Sequence, residues 1–496
     1  NIFLIEFFPY YPSLIAFSHY AEVISKNFDA EPVLYDPALY NNVLLKNYKN
    51  KIKILTSPIF YLYKMFRYKK FYSIKPNTFI KEKALDYYNN KIFFKNKSQI
   101  LNLKIHNIYI GDLLYDEYLR SYNRPTINLE KENSLELKSY IIKFLEGFFY
   151  WDNFFKKNKN VKALIISHTV YAKGIAPRIA ALRGIKVFCV GNQVSTLISK
   201  KNLYKFDDTK YFKKTFSKIN SNQKKIFLQK GKKSIIDRIS GKKDKKLLLD
   251  NPTDIRIFKN KTKKNVFKKN GKLRILVATH CFTDAVHFYG KCLFPDFYDW
   301  LDHLGKLSNK LNYDWYIKFH PAQFENNQEH FKYFKKKYKK FKILPKETYT
   351  NDIFREKVDA VLTVYGSVGH EYPLFGIPVI NASKIGPHQN YNFNFYPKNI
   401  DHYNYLIKNI PKLKVYKKSI EKEIYEFVYM NYESNFEILD NFQQILIDLK
   451  KDYSTTLLFK TYLSKYNQKY NDEIYKKILN FIKSNKIKHY KFDNIN

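Results

Sequence analysis

The chain is short of cysteine, glycine and acid. Three cysteines in 496 residues, Cys189, Cys281 and Cys292, are too few and too scattered for a disulfide framework. No Cys-x-x-Cys spacing offers a structural zinc site, and the usage fits a reducing compartment. Glycine stands at only 14, and the 45% hydrophobic and 18% aromatic content excludes a disordered chain. No apolar run reaches the roughly 18 residues that a membrane-spanning helix needs. No Asp-x-Asp triplet occurs, so a metal clamp on a diphosphate is not indicated. Neither a metal nor another cofactor is expected. The opening residues Asn1 to Phe8 carry Glu6 inside the apolar run and lack a basic leader, so no secretory signal is expected.

What is present is bulk and positive charge. Tyr (44) and Phe (42) lead a 45% hydrophobic composition, enough for two or three globular domains. Lys+Arg number 88 against 45 Asp+Glu, a formal net charge of +43. One reading is a polyanionic partner, nucleic acid or an anionic membrane surface. The other is codon bias, because Lys, Asn, Ile, Tyr and Phe are abundant together. No nucleic-acid-binding signature stands in the chain, so nucleic acid is not an expected partner. The basic aromatic segment 54–73 reads either as a membrane-interface helix or as a surface helix packed on its own domain. The expected location is cytoplasmic, with peripheral contact at the inner face of the cytoplasmic membrane as the extension of that first reading.

Elements alternate in a regular order. Asn1 to Phe8 reads as a buried strand, Leu14 to Asn27 as a helix and Pro32 to Tyr35 as a second strand. Ile108 to Asp112 reads as a strand ending on Gly-Asp, and Val161 to His168 as one ending on Ser-His. Residues 1–200 form a Rossmann-like domain expected to hold the acceptor. Residues 201–272 are a Lys-rich connector without a long apolar run. Residues 273–400 repeat the strand-helix alternation. Residues 401–496 are helical and basic, expected to pack back across the domains. The fold class is α/β, two Rossmann-like domains facing across a cleft, with a helical C-terminal extension.

The most informative stretch runs from Leu362 to Asn381: strand, glycine turn, short helix, strand. Its turn, Gly366, Ser367, Val368 and Gly369, offers N–H groups and a hydroxyl at a helix start, where a phosphate is stabilised. Glu371 suits a ribose hydroxyl or simply the helix dipole. Upstream, Lys318 and His320 share one face of a strand that ends on His320-Pro321, and Pro321 keeps the preceding residue out of helical angles. The loop after Thr279 brings His280, Asp284 and His287 to the rim of the same sheet. It reads as a cleft-lining loop, or more remotely as a zinc site. A sugar transfer that inverts its centre needs a base, and His168, Asp112 and Asp284 are the candidates. His168 and Asp112 read equally as helix caps.

These segments resemble bacterial capsule polysaccharide biosynthesis proteins, the group that includes Kdo-transferase-like enzymes. The likeness lies in Thr279 to Trp300, Trp315 to Pro321, and Thr363 to Glu371 through Val379. The His-Pro step with a downstream Ser/Thr turn is also similar to bacterial sialyltransferases. The resemblance implies the GT-B type of fold, with His320 and Ser367 on the phosphate of a CMP-sugar. It covers mainly residues 270–400. The expected function is therefore a metal-independent glycosyltransferase. It takes a nucleotide-sugar donor, CMP-Kdo or another CMP-nonulosonate first, to a saccharide or glycolipid acceptor in a capsule or other surface polysaccharide. The alternatives are a CDP-alcohol-dependent polyol-phosphate transferase and, more distantly, a basic nucleic-acid-binding protein.

Overall fold

The computed structural model describes residues 1–8, 11–37, 70–129, 135–191, 195–240, 265–320, 328–345, 348–435 and 468–494. Pro321 and most of the basic aromatic segment, up to residue 69, lie outside them. By contacts the chain divides into two units. Unit 1 takes Asn1–Glu117, Asn128–Lys205 and Asn435–Asn496. Unit 2 takes Tyr118–Ile127 and Phe206–Ser434.

Unit 1 is built on a six-stranded sheet. Its strands are β1 (Ile2–Glu6), β2 (Glu31–Asp36), β3 (Phe71–Ser73), β6 (Val161–Ile166), β7 (Lys186–Val190) and β8 (Ser195–Ile198). The spatial order is β3-β2-β1-β6-β7-β8. All pairs are parallel except β7 with β8. β1 and β6 are buried almost throughout, as strands covered on both faces must be. Helix Leu135–Lys157 supplies much of the cover through Phe144, Phe148 and Trp151. The C-terminal helix Gln468–Ser484 belongs to this unit, where the Tyr475 hydroxyl meets Asn27 at 3.0 Å.

The expected strand Ile108–Asp112 is not part of this sheet. Lys104–Ile105 (β4) and Ile108–Tyr109 (β5) form a small antiparallel hairpin, and Gly111 and Asp112 open helix Gly111–Ser121. The reason is burial of a different kind: Arg178 draws both the Tyr109 carbonyl and the Asp112 carboxylate inward, each at 2.7 Å.

Unit 2 carries a five-stranded parallel sheet. Its strands are β9 (Arg274–Ala278), β10 (Asp314–Lys318), β11 (Phe341–Ile343), β12 (Ala360–Thr363) and β13 (Val379–Asn381), in the order β11-β10-β9-β12-β13. Leu276, Val361 and Val379 are fully buried in its core. The segment set apart by composition as a connector contains helix Ser221–Ile239, which belongs to this unit. Gly231 lets that helix lie against helix Lys417–Val428: a Cβ there would stand 2.0 Å from the Tyr425 carbonyl oxygen.

Both sheets reverse their winding once. In unit 1 the chain runs outward from β1 to β3, then restarts at β6. In unit 2 it runs from β9 to β11, then restarts at β12. Ligands of open α/β sheets bind at the carboxyl ends of the strands flanking such a reversal. The chain is thus α/β with two Rossmann-like units, the pair of folds expected of the GT-B type.

Candidate functional site

The carboxyl edge of the unit 2 sheet gathers most of the residues singled out from sequence. β10 and β12 are not neighbours. Both pair with β9, which puts their ends roughly 10 Å apart.

Lys318, the last residue of β10, is the strongest electrostatic signal. Its ammonium donates to Thr350 Oγ1 at 3.0 Å and makes no other hydrogen bond or ion pair among the described residues. An ammonium carries three donors. Burial pulls its pKa down to about 8, while Glu371 and Asp352 pull the other way. A partly buried cation held this way is poised for an anion. His320 follows two residues later and lies close enough to add to the depression of the His280 pKa.

On the β12 side the turn is braced from beneath. His280 Nε2 stands 3.0 Å from Thr363 Oγ1 and accepts from the N–H groups of Val364 and Tyr365 at 3.3 and 3.4 Å. The proton is therefore on Nδ1. The ring is sandwiched by Phe297 and Tyr365, and burial lowers its pKa to about 3. His280 thus shapes the turn instead of reaching out to a nucleotide. Gly369 is required by a close approach: a Cβ there would lie 2.7 Å from His388 and from Asn394. Its N–H is committed to the Gly366 carbonyl at 3.0 Å. The helix that starts here is only Val368–Glu371, continued by a 3-10 turn Tyr372–Phe375, so its dipole is small.

The cation at this turn comes from elsewhere. Arg238, near the end of helix Ser221–Ile239, binds Glu371 Oε1 at 2.8 Å and reaches the Ser367 hydroxyl at 3.5 Å. Arg238 is seven residues beyond Gly231, so both sit on the same helix face. Glu371 is 3% exposed, and its carboxylate is committed to Arg238. It anchors the guanidinium and is not set to take a ribose hydroxyl. Sequence reading missed Arg238 because it lies inside a Lys-rich stretch with no motif. The one available signal was a lone arginine among lysines on the face marked by Gly231.

The loop after β9 spreads its ligand-like residues. His287 Nε2 meets the Pro295 carbonyl at 2.9 Å. Asp284 pairs with Arg120 at 2.8 Å, with both side chains 56% exposed. His280, Asp284 and His287 each hold a separate partner.

Unit 1 places the other two base candidates very differently. Asp112 is locked in a bidentate pair with Arg178, both nearly fully buried, so it is not free to take a proton. His168 stands just after β6, at the reversal of the sheet. Phe8 and Tyr171 contact its ring edge-on, and Nδ1 meets no hydrogen-bond partner among the described residues. Burial lowers its pKa to about 4, so it is neutral at physiological pH and able to accept a proton. Beside it, Glu6 ends β1 and receives hydrogen bonds from the Ser167 N–H and hydroxyl, at 2.6 and 2.9 Å, and from Lys173 at 3.0 Å. No sequence motif pointed to Glu6 or Lys173.

No described helix is long and apolar enough to cross a membrane. No protein-family model matches the chain, and no curated protein matches it in sequence. Among solved structures, a glycosyltransferase from Rickettsia africae is similar over 97% of this chain and 99% of its own, at 12% identity and a TM-score of 0.26. A UDP-GlcNAc 2-epimerase from Neisseria meningitidis, bound to UDP-GlcNAc, covers 90% and 98% at 10% identity and a TM-score of 0.25. The Anabaena protein HepE, in complex with UDP and glucose, covers 90% and 99% at 10% identity and a TM-score of 0.24. At these scores none of the three carries an argument for this chain.

Proposed function

We propose that the protein is a glycosyltransferase whose unit 2 holds the phosphate of a nucleotide-sugar donor. The carrying observation is Lys318, a partly buried ammonium at the carboxyl end of β10, one strand from the sheet reversal, with a single hydroxyl for a partner. Arg238 and Ser367 at the β12 turn, with His320 two residues beyond β10, add donors suited to the phosphates of a nucleotide. These groups would stabilise the charge that grows on the departing phosphate. No cofactor is invoked. Gly366 and Val368 complete the turn by their backbone.

His168 is the base we favour, because its Nδ1 has no hydrogen-bond partner among the described residues and the ring lies at the sheet reversal of unit 1. The resemblance to Kdo-transferase-like and sialyltransferase-like proteins favours CMP-Kdo or another CMP-nonulosonate as donor, and a surface saccharide or glycolipid as acceptor.

A thermal-shift series tests the assignment, since a ligand that binds only the folded state raises the melting temperature. CMP, CDP, UDP, GDP and their sugar conjugates are compared on wild type and Lys318→Met. At least one nucleotide is expected to stabilise the wild type and not the variant. No stabilisation by any of them would reject the reading.

A further inference from the structure

We propose that unit 2 carries a second anion site, a lysine-lined cavity away from the sheet edge that takes a pyrophosphate group. The cavity measures about 710 Å³ and lies among helices Phe212–Ser217, Ser221–Ile239 and Lys417–Val428. Lys213, Lys214, Lys224, Lys225 and Lys422 line it, against one carboxyl group, Glu426. Lys422 is about two hundred positions from the others in sequence, so the fold gathers this charge.

Two of the lysines are committed: Lys213 pairs with Glu423 at 2.7 Å, and Lys224 donates to the Ser217 carbonyl at 2.7 Å. Lys214, Lys225 and Lys422 are exposed and pair with no carboxylate among the described residues. Like charges brought together repel unless an anion joins them. Glu426 does little to offset them. The Tyr391 hydroxyl donates to it at 3.2 Å, and burial pushes its pKa up to about 7.

The chemistry of the lining selects the ligand. No arginine lines the cavity, so there is no planar fork to impose a bidentate geometry; the lysines act as point charges, which suits a ligand that carries several negative charges over tetrahedral phosphate groups. Three uncommitted ammonium groups exceed what one phosphate, at roughly −1.5 to −2, would neutralise. A pyrophosphate matches them. Phe216 and Leu228 add an apolar wall, which admits a pyrophosphate borne on a lipid as well as the free ion. The site stands independently of the donor assignment, because it shares no residue with the sheet edge.

The test is calorimetric titration of the full chain with inorganic pyrophosphate, run in the Lys318→Met background so that the sheet-edge site is silenced. Binding is expected to persist there. Adding Lys214→Glu, Lys225→Glu and Lys422→Glu should weaken it roughly tenfold or more, since charge-assisted bonds are lost. All three side chains are exposed, and an unchanged melting temperature would confirm an intact fold. Unweakened binding in that variant, or no binding before it, would overturn the site. Glu426→Gln should tighten binding above pH 7, where the carboxylate would otherwise repel the ligand; unchanged affinity would remove Glu426 from the site. A parallel titration with farnesyl pyrophosphate separates the sources: tighter binding than the inorganic ion assigns a lipid-borne group, and equal binding assigns the free one.

Discussion

Single side chains decide which motif residues can act. Lys318 and Asp112 both carry charge inside the protein, yet only Lys318 lacks an ionic partner at hydrogen-bonding distance. The sign of its pH dependence follows. The folded pKa is about 8 and the ordinary value 10.5, so between them the unfolded chain binds more protons. Stability contributed by this group therefore rises with pH across that window. Anion binding runs the other way: nucleotide affinity should fall as pH climbs past about 8, and that slope should vanish in Lys318→Met. Titration from pH 7 to 9.5 checks it. At Asp112 the expectation is structural. Asp112→Asn leaves Arg178 buried without its counter-ion and should cost about 3–5 kcal/mol of stability, read by chemical denaturation. For Ser367→Ala and His320→Ala, transfer should drop by about 2–4 kcal/mol of transition-state stabilisation each, with melting unchanged. Wild-type rates in both would remove the phosphate site.

At the scale of elements, a glycine in one helix sets the position of an arginine two turns later. Gly231→Ala would force helix Ser221–Ile239 away from Tyr425, because backbone atoms on the partner helix cannot yield as a side chain can. The expected cost is about 1–3 kcal/mol of stability. Nucleotide affinity should fall with it, as Arg238 draws back from Glu371 and Ser367. Arg238→Ala should reproduce the affinity loss without the whole stability loss; a normal affinity in both variants would uncouple the helix from the site. Strand endings were largely legible. β10 ends two residues before the His320-Pro321 step and β12 three residues before Gly366, the two punctuation marks the sequence offers there. The Ile108–Asp112 strand was misread because a short apolar run looks alike in a hairpin and in a parallel sheet. The short helix after Ser367 is where the glycine turn placed it; Pro373 lies inside it, and the last turn tightens to 3-10.

Among the described residues, a set of buried histidines is held neutral. Burial lowers His19 and His168 to about 4, and His280, His370 and His489 to about 3. Below the ordinary value of 6.5 the unfolded chain takes up protons that the folded chain refuses, so stability drains away as pH falls from 6.5 toward 4. Each such group contributes up to about 1.4 kcal/mol per pH unit. Melting temperature should decline steeply over that interval, and a flat profile would contradict neutral burial.

The sequence by itself determined that this is an α/β chain with two series of strand-helix alternation, because parallel strands buried on both faces demand continuous apolar runs. It also picked out Lys318, His320 and Ser367, since strand ends and turns are written in adjacent residues. Only the tertiary structure decided which charges are already paired. Arg178 closes off Asp112, Glu371 is committed to Arg238, and Lys422 joins lysines two hundred positions away. Electrostatic pairing acts through space at a few ångströms, and no local pattern along the chain records it.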